Sequence, residues 1–175
     1  ALAGLTEAIN PGGTVTLTGT GLIIVDGLVR AAAAVSITGG TDASGAGVVI
    51  QPLVLDGQDN RISGGVITTS PGGTVTITAT DDVVIAGVLG DVDLDENSRL
   101  VPQVNAVTVY STAGAVTVTG AVEANASLHL RGVDVNVLSD GSVQTRGAAA
   151  NLLLQGSNSV YTAAADGGDN AAIVR

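Results

Sequence analysis

"PGGTVTITATDDVVIAGVLG" occupies residues 71–90, and "PGGTVTLTGTGLIIVDGLVR" occupies residues 11–30. Nine of the twenty positions are identical, and most of the rest exchange one aliphatic residue for another. Each copy reads as turn, strand, turn, strand. Pro-Gly-Gly is a turn signal. Thr74-Val75-Thr76-Ile77-Thr78 alternates polar with apolar, the period-two mark of a half-buried strand. A break at Thr80-Asp81-Asp82 precedes the apolar run Val83-Val84-Ile85, and Ala86-Gly87 closes it.

Weaker echoes fill the sixty residues between the copies and continue beyond them. "AVSITGG" places Val35 and Ile37 twenty residues after Val15 and Leu17, and "PLVLDGQ" offers Leu53 and Leu55. "DVDLDEN" offers Val92 and Leu94, "AVTVTGA" offers Val116 and Val118, and "SLHLRG", "DVNVLSDG" and "NLLLQG" continue the style. The recurring unit is close to twenty residues, with insertions and deletions at the turns. A period of that size marks a solenoid, propeller or array. No segment has a sustained helical period, and the alanine runs 31–34 and 148–150 are too short to change that.

Two or three short strands per unit fit one coil of a parallel β-helix. A single coil cannot bury its own apolar face, so it must be repeated. The expected fold is therefore all-β, a parallel β-helix (β-solenoid) with coils of about 20 residues, forming one domain over 1–175. Residues 1–9 offer a cap for the first coil or a contact with another subunit. Roughly eight or nine coils stacked at the inter-strand spacing would make a rod on the order of 40 Å long. Val75, Ile77, Val84 and Ile85 are expected to face inward.

Composition agrees with a thin, regular interior. Apolar residues make up 45% of the chain, yet Phe, Trp, Met and Cys are absent, and Tyr110 and Tyr161 are the only aromatics. Sixteen acids oppose six arginines, for a net charge of −10. That charge argues against nucleic acid and against anionic membrane surfaces as partners. Absent cysteine removes disulfides, thiol catalysis and zinc–thiolate sites. No run of 18 apolar residues offers a transmembrane helix. The chain opens with Ala1 and has no basic segment before an apolar run, which suggests a processed protein or a piece of a longer one.

"GGTVTITATDDVVIAGVL" resembles the repeat style of the filamentous-haemagglutinin-like large bacterial exoproteins. The likeness covers most of the chain as a style and residues 11–30, 71–90 and 113–132 closely. It implies a right-handed parallel β-helix, export to the bacterial cell surface, and a role in adhesion or surface coating. The chain would then be a shaft segment of such an exoprotein or the repeating subunit of an extracellular filament. Its partners would be further coils or subunits end to end, and glycans of host or neighbouring cells.

"LDGQDNRISGG" gathers Asp56, Asp59 and Arg61 in the manner of polysaccharide-cleaving β-helices, but no second carboxylate cluster recurs one unit away. His129 is the only histidine, so a triad or transition-metal site has nothing to assemble from. The expectation is no catalytic residue, no cofactor and no enzyme. Asp91, Asp93, Asp95 and Glu96 are the calcium candidates: the spacing opens like a calcium loop, but Glu96 and Pro102 stand where Gly and Glu are needed. Asn125-Ala126-Ser127 is a glycosylation triplet. Thr14, Thr16 and Thr18, then Thr74, Thr76 and Thr78, and Thr117 with Thr119 form outward T-x-T patterns like those of ice-binding β-helices. Ser36, Asp93 or Asp134 are expected to interrupt that array. The alternatives to a structural rod are a carbohydrate- or calcium-binding surface module and a polysaccharide-cleaving enzyme.

Overall fold

The computed structural model describes residues 2–56, 61–90, 104–163 and 173–174. They contain strands and turns and no helix. The strands are β1 (Leu2–Ala8), β2 (Thr14–Thr18), β3 (Ile23–Ala31), β4 (Ala34–Gly39), β5 (Ala46–Ile50), β6 (Val54–Leu55), β7 (Arg61–Ser63), β8 (Val66–Thr69) and β9 (Gly73–Ala79). They continue with β10 (Asp82–Ile85), β11 (Val88–Leu89), β12 (Val104–Ser111), β13 (Val116–Val118), β14 (Ala121–Ala124), β15 (Ser127–Val137), β16 (Ser142–Thr145), β17 (Asn151–Thr162) and β18 (Ile173–Val174). Sixteen of them form one sheet in which every pairing is parallel, and β6 and β7 form a separate antiparallel pair.

The sheet comprises three stacks. The first runs β2, β4, β9, β12, then the opening halves of β15 and β17. The second runs through the opening half of β3, then β5, β10, β13 and the closing halves of β15 and β17. The third runs through the closing half of β3, then β8, β11, β14, β16 and β18. β1 lies beneath β3, so it is a rung of the same sheet. Because β3, β15 and β17 each cross from one stack to the next, the three stacks share strands.

The two Pro-Gly-Gly copies play the same part. Each opens a strand of the first stack by a type II turn, with Pro second and a positive-φ Gly third. The Gly13 N–H donates to the Asn10 carbonyl at 2.7 Å, and the Gly73 N–H to the Ser70 carbonyl at 3.0 Å. Gly12 has φ 77° and Gly72 φ 88°. The second glycine is needed for space, since a β-carbon at Gly13 would fall on the Ala8 carbonyl and one at Gly73 on the Thr69 hydroxyl.

Alternation then sorts the side chains. In β9 the residues Val75 and Ile77 are buried, and Thr74 and Thr76 are exposed. Val75 stacks on Val35 below and Val107 above; Ile77 stacks on Ile37 and Val109. Ile37, Ile50 and Ile67, one from each stack, belong to a single apolar cluster and are fully buried. Each such side chain contributes roughly 1.5–3 kcal/mol by leaving water. The interior is filled by β-branched residues and leucine in register, so no rung has to accommodate a ring.

Several details differ from the sequence reading. Along the first stack, Thr14 pairs with Ala34 and Ala106 with Ser127, close to twenty residues apart, but Ala34 pairs with Thr74, forty residues on. Among the described residues the first stack therefore holds six rungs, against the eight or nine coils expected. Leu53 and Leu55 supply no rung of that stack: Val54–Leu55 pairs with Arg61–Ser63 as a hairpin outside it, with Leu55 39% exposed. Val116 and Val118 belong to the second stack, on Val83 and Ile85. Val84 faces outward, between the buried Val83 and Ile85, because alternation continues through that all-apolar run. Val92 and Leu94 lie outside the described residues.

Candidate functional site

The outer side of the first stack carries three columns of six residues. One is Thr14, Ala34, Thr74, Ala106, Ser127 and Asn151. The next is Thr16, Ser36, Thr76, Thr108, His129 and Leu153, and the third is Thr18, Thr38, Thr78, Tyr110, Arg131 and Gln155. Rungs repeat about every 4.8 Å, and outward residues along a strand about every 6.8 Å. The result is a flat lattice of hydroxyls over the first rungs. Over the last rungs it gives way to a patch bearing Tyr110, His129, Arg131, Leu153 and Gln155.

The threonine pattern is more continuous than its sequence suggests. The rung between the two T-x-T copies carries Ser36 and Thr38, so hydroxyls run unbroken through Thr16, Ser36, Thr76 and Thr108. Asp134 does not interrupt this face, since it belongs to the second stack, in register with Ser159. Thr117 is on that second stack too, between Val84 and Asn136. Asp93 lies outside the described residues.

None of the sixteen Asp and Glu residues occupies any of the eighteen outward positions of the first stack. Arg131 is the one arginine there. Its guanidinium carbon sits 4.9 Å from the centre of the Tyr110 ring, one rung below. A cation–π contact of this kind holds the guanidinium plane in place. His129 lies on the same strand two residues away, and its Nε2 is shielded and makes no hydrogen bond among the described residues. This arrangement was hidden in the sequence. Tyr110 and Arg131 are twenty-one residues apart, and only the register of β12 on β15 makes them neighbours.

The third stack treats charge differently. Glu123 points outward yet is only 7% exposed. Its carboxylate accepts from Arg146 Nε at 2.9 Å and Nη2 at 2.9 Å, and also from the Gln144 amide. A bidentate fork of this type is a strong pairing. Gly90, one rung beneath, supplies no side chain, and a β-carbon there would fall on the Glu123 carbonyl.

Four other acids accept hydrogen bonds at corners or between rungs. Asp26 Oδ1 accepts from the Gly64 N–H at 2.8 Å and ties the end of the hairpin excursion to the rung below. Asp82 Oδ1 accepts from the Ala115 N–H at 2.7 Å, bridging two rungs at the corner between the first and second stacks. Hydrogen bonds from the Ser44 hydroxyl and backbone N–H hold the Asp42 carboxyl below its ordinary range. The Ser159 hydroxyl and then the Asn158 amide do the same for Asp134.

Asp59 of the Asp56–Asp59–Arg61 motif is outside the described residues, as are the calcium candidates Asp91, Asp93, Asp95 and Glu96. Asn125 of the glycosylation triplet is exposed at the corner between β14 and β15. Among the described residues no three His, Asp or Glu side chains gather closely enough to hold a metal ion. No protein-family model, curated protein or solved structure matches this chain.

Proposed function

We propose that this chain is a structural β-solenoid of the bacterial cell surface: a shaft segment of an adhesin-like exoprotein, or the repeating subunit of an extracellular filament. The observation that carries this reading is the stacking itself. Three parallel strand stacks share one aliphatic interior, and their rungs follow one another along a single direction. We read the coil as right-handed, because parallel crossovers are right-handed in nearly all proteins. Coils of about twenty residues remain the basic unit, lengthened where a corner carries an excursion.

The exposure gradient along the rod supports growth at its end. Val135 on β15 is fully buried, but Val160, stacked on it in β17, is 47% exposed. Leu152 and Leu154 in β17 are likewise only half-buried, although Leu128 and Leu130 beneath them are buried. A further rung, from the same polypeptide or from another copy, would cover them. Unpaired strand edges invite such pairing, and a head-to-tail contact does not close on itself.

Electron microscopy and fibre diffraction of the protein isolated from its source test this reading. The expected result is rods with an axial repeat near ~4.8 Å. A denatured mass near 17.0 kDa would identify a filament subunit, and a far larger one a shaft segment. Globular particles without that repeat would overturn the rod.

A further inference from the structure

We infer that the outer face of the first stack is a binding surface for an acidic polysaccharide, with Arg131 receiving a uronate carboxylate. This goes beyond the structural role and does not depend on whether the chain is a shaft segment or a filament subunit.

Charge gives the first reason. The chain carries sixteen acids and six arginines, yet all eighteen outward positions of this face are free of acid. A polyanion laid along these eighteen positions meets no carboxylate of the described residues. The screening distance in physiological salt is only about 8 Å, so the charges nearest a bound polymer count for more than the net charge of the chain.

Arg131 gives the second. Glu123 is paired with Arg146, and among the described residues no carboxylate is shown on Arg131. Its guanidinium is held over Tyr110 and remains exposed. A planar, pre-oriented guanidinium offers two parallel N–H donors to one carboxylate. Gln155 lies one rung above Arg131, Thr108 lies in the adjacent column one rung below, and Ser127 and Asn151 lie one column further across the face. These hydroxyl and amide groups match sugar hydroxyls as both donors and acceptors.

Shape gives the third. The face is a lattice of rungs aligned through six strands, which suits an extended polymer lying across several of them. The threonine columns of Thr76 and Thr78 continue the track below Tyr110, so the chain of sugars would run along the rod axis.

The test is affinity electrophoresis and titration calorimetry of the 175-residue chain with polygalacturonate, its fully methyl-esterified form, and dextran. Polygalacturonate is expected to bind, and the ester and dextran to bind at least tenfold more weakly, because only the free acid offers a carboxylate. Arg131→Gln should lose about tenfold or more in affinity, the scale of one charge-assisted fork, with its melting temperature unchanged. Arg131→Lys, which keeps the charge but not the fork, should fall between. Arg30→Gln, an exposed arginine of the third stack in register with Glu7, should bind like the parent. Absence of binding to polygalacturonate overturns the inference. So does equal binding to dextran, or an Arg131→Gln protein that binds as the parent does.

Discussion

The first and third stacks share one backbone plan and differ on their outer sides. Inward, both present fully buried aliphatics: Ile77 in β9 and Ile67 in β8 are each 0% exposed. Outward, the first stack is a neutral lattice ending at Arg131 over Tyr110. The third instead buries Glu123 beneath an Arg146 fork. The inner side of each rung is thus constrained by the rungs above and below it. The outer side is free to hold different chemistry on each stack, so one scaffold carries an acid-free face and a braced one.

That comparison breaks first at the core. Ile77→Asp and Ile67→Asp are expected to destabilise the fold by several kcal/mol each, above ~4, because each buries an unpaired charge. Urea unfolding of both variants measures it. A loss in one stack only would show that the inner sides are not equivalent.

A smaller effect is expected on the braced outer side. Glu123→Ala removes the acceptor of the Arg146 fork and of the Gln144 amide, and should cost about 1.5–3 kcal/mol. Thermal melting reads this directly. By contrast, Thr76→Val on the neutral lattice, exposed and with an intact rung beneath it, should stay within ~0.5 kcal/mol of the parent. Equal losses for Glu123→Ala and Thr76→Val would erase the distinction between the two outer sides.

The smallest expected effect is a pH dependence on the second stack. Hydrogen bonds from Ser159 and Asn158 hold the Asp134 carboxyl below its ordinary value of 3.8. A folded-state value below the unfolded one stabilises the fold above the unfolded value, and the contribution is lost as pH falls through the folded one. Carboxyl titration followed by NMR should place Asp134 below the ordinary range. Ser159→Ala with Asn158→Ala should return it upward, and the double variant should lose less stability on acidification than the parent. A midpoint unchanged by both substitutions would remove this role.

Much of the plan is legible in the sequence. Pro11-Gly12-Gly13 and Pro71-Gly72-Gly73 signalled turns, and Thr-x-Thr alternation separated Val75 and Ile77 from their neighbours. These are local properties, set by φ preference and by the two-residue strand period. Register was not legible. The first and second stacks use the same alternation of aliphatic residues, so Val116 and Val118 echoed the first stack while lying on the second. An all-apolar run such as Val83-Val84-Ile85 has no alternation to read, which hid the outward Val84. Leu53 and Leu55 kept the cadence of a rung but entered a hairpin. The outer face followed from none of these signals, because a column such as Tyr110–Arg131–Gln155 exists only once the rungs are aligned.

The hairpin excursion between β5 and β8 also says something about how such a chain can change. The β11 and β14 corners need only a few residues, such as Ala86-Gly87, whereas β5 ends at Ile50 and β8 begins only at Val66. The strands on either side still pair in register with the rungs below and above. Lengthening a loop costs only about 0.6 kcal/mol for each doubling, and Asp26 holds the returning Gly64 against the preceding rung. A corner of this rod is therefore a port. Sequence can be admitted there, as a hairpin, an epitope or a small domain, while the aliphatic columns on both sides close as if nothing had been added.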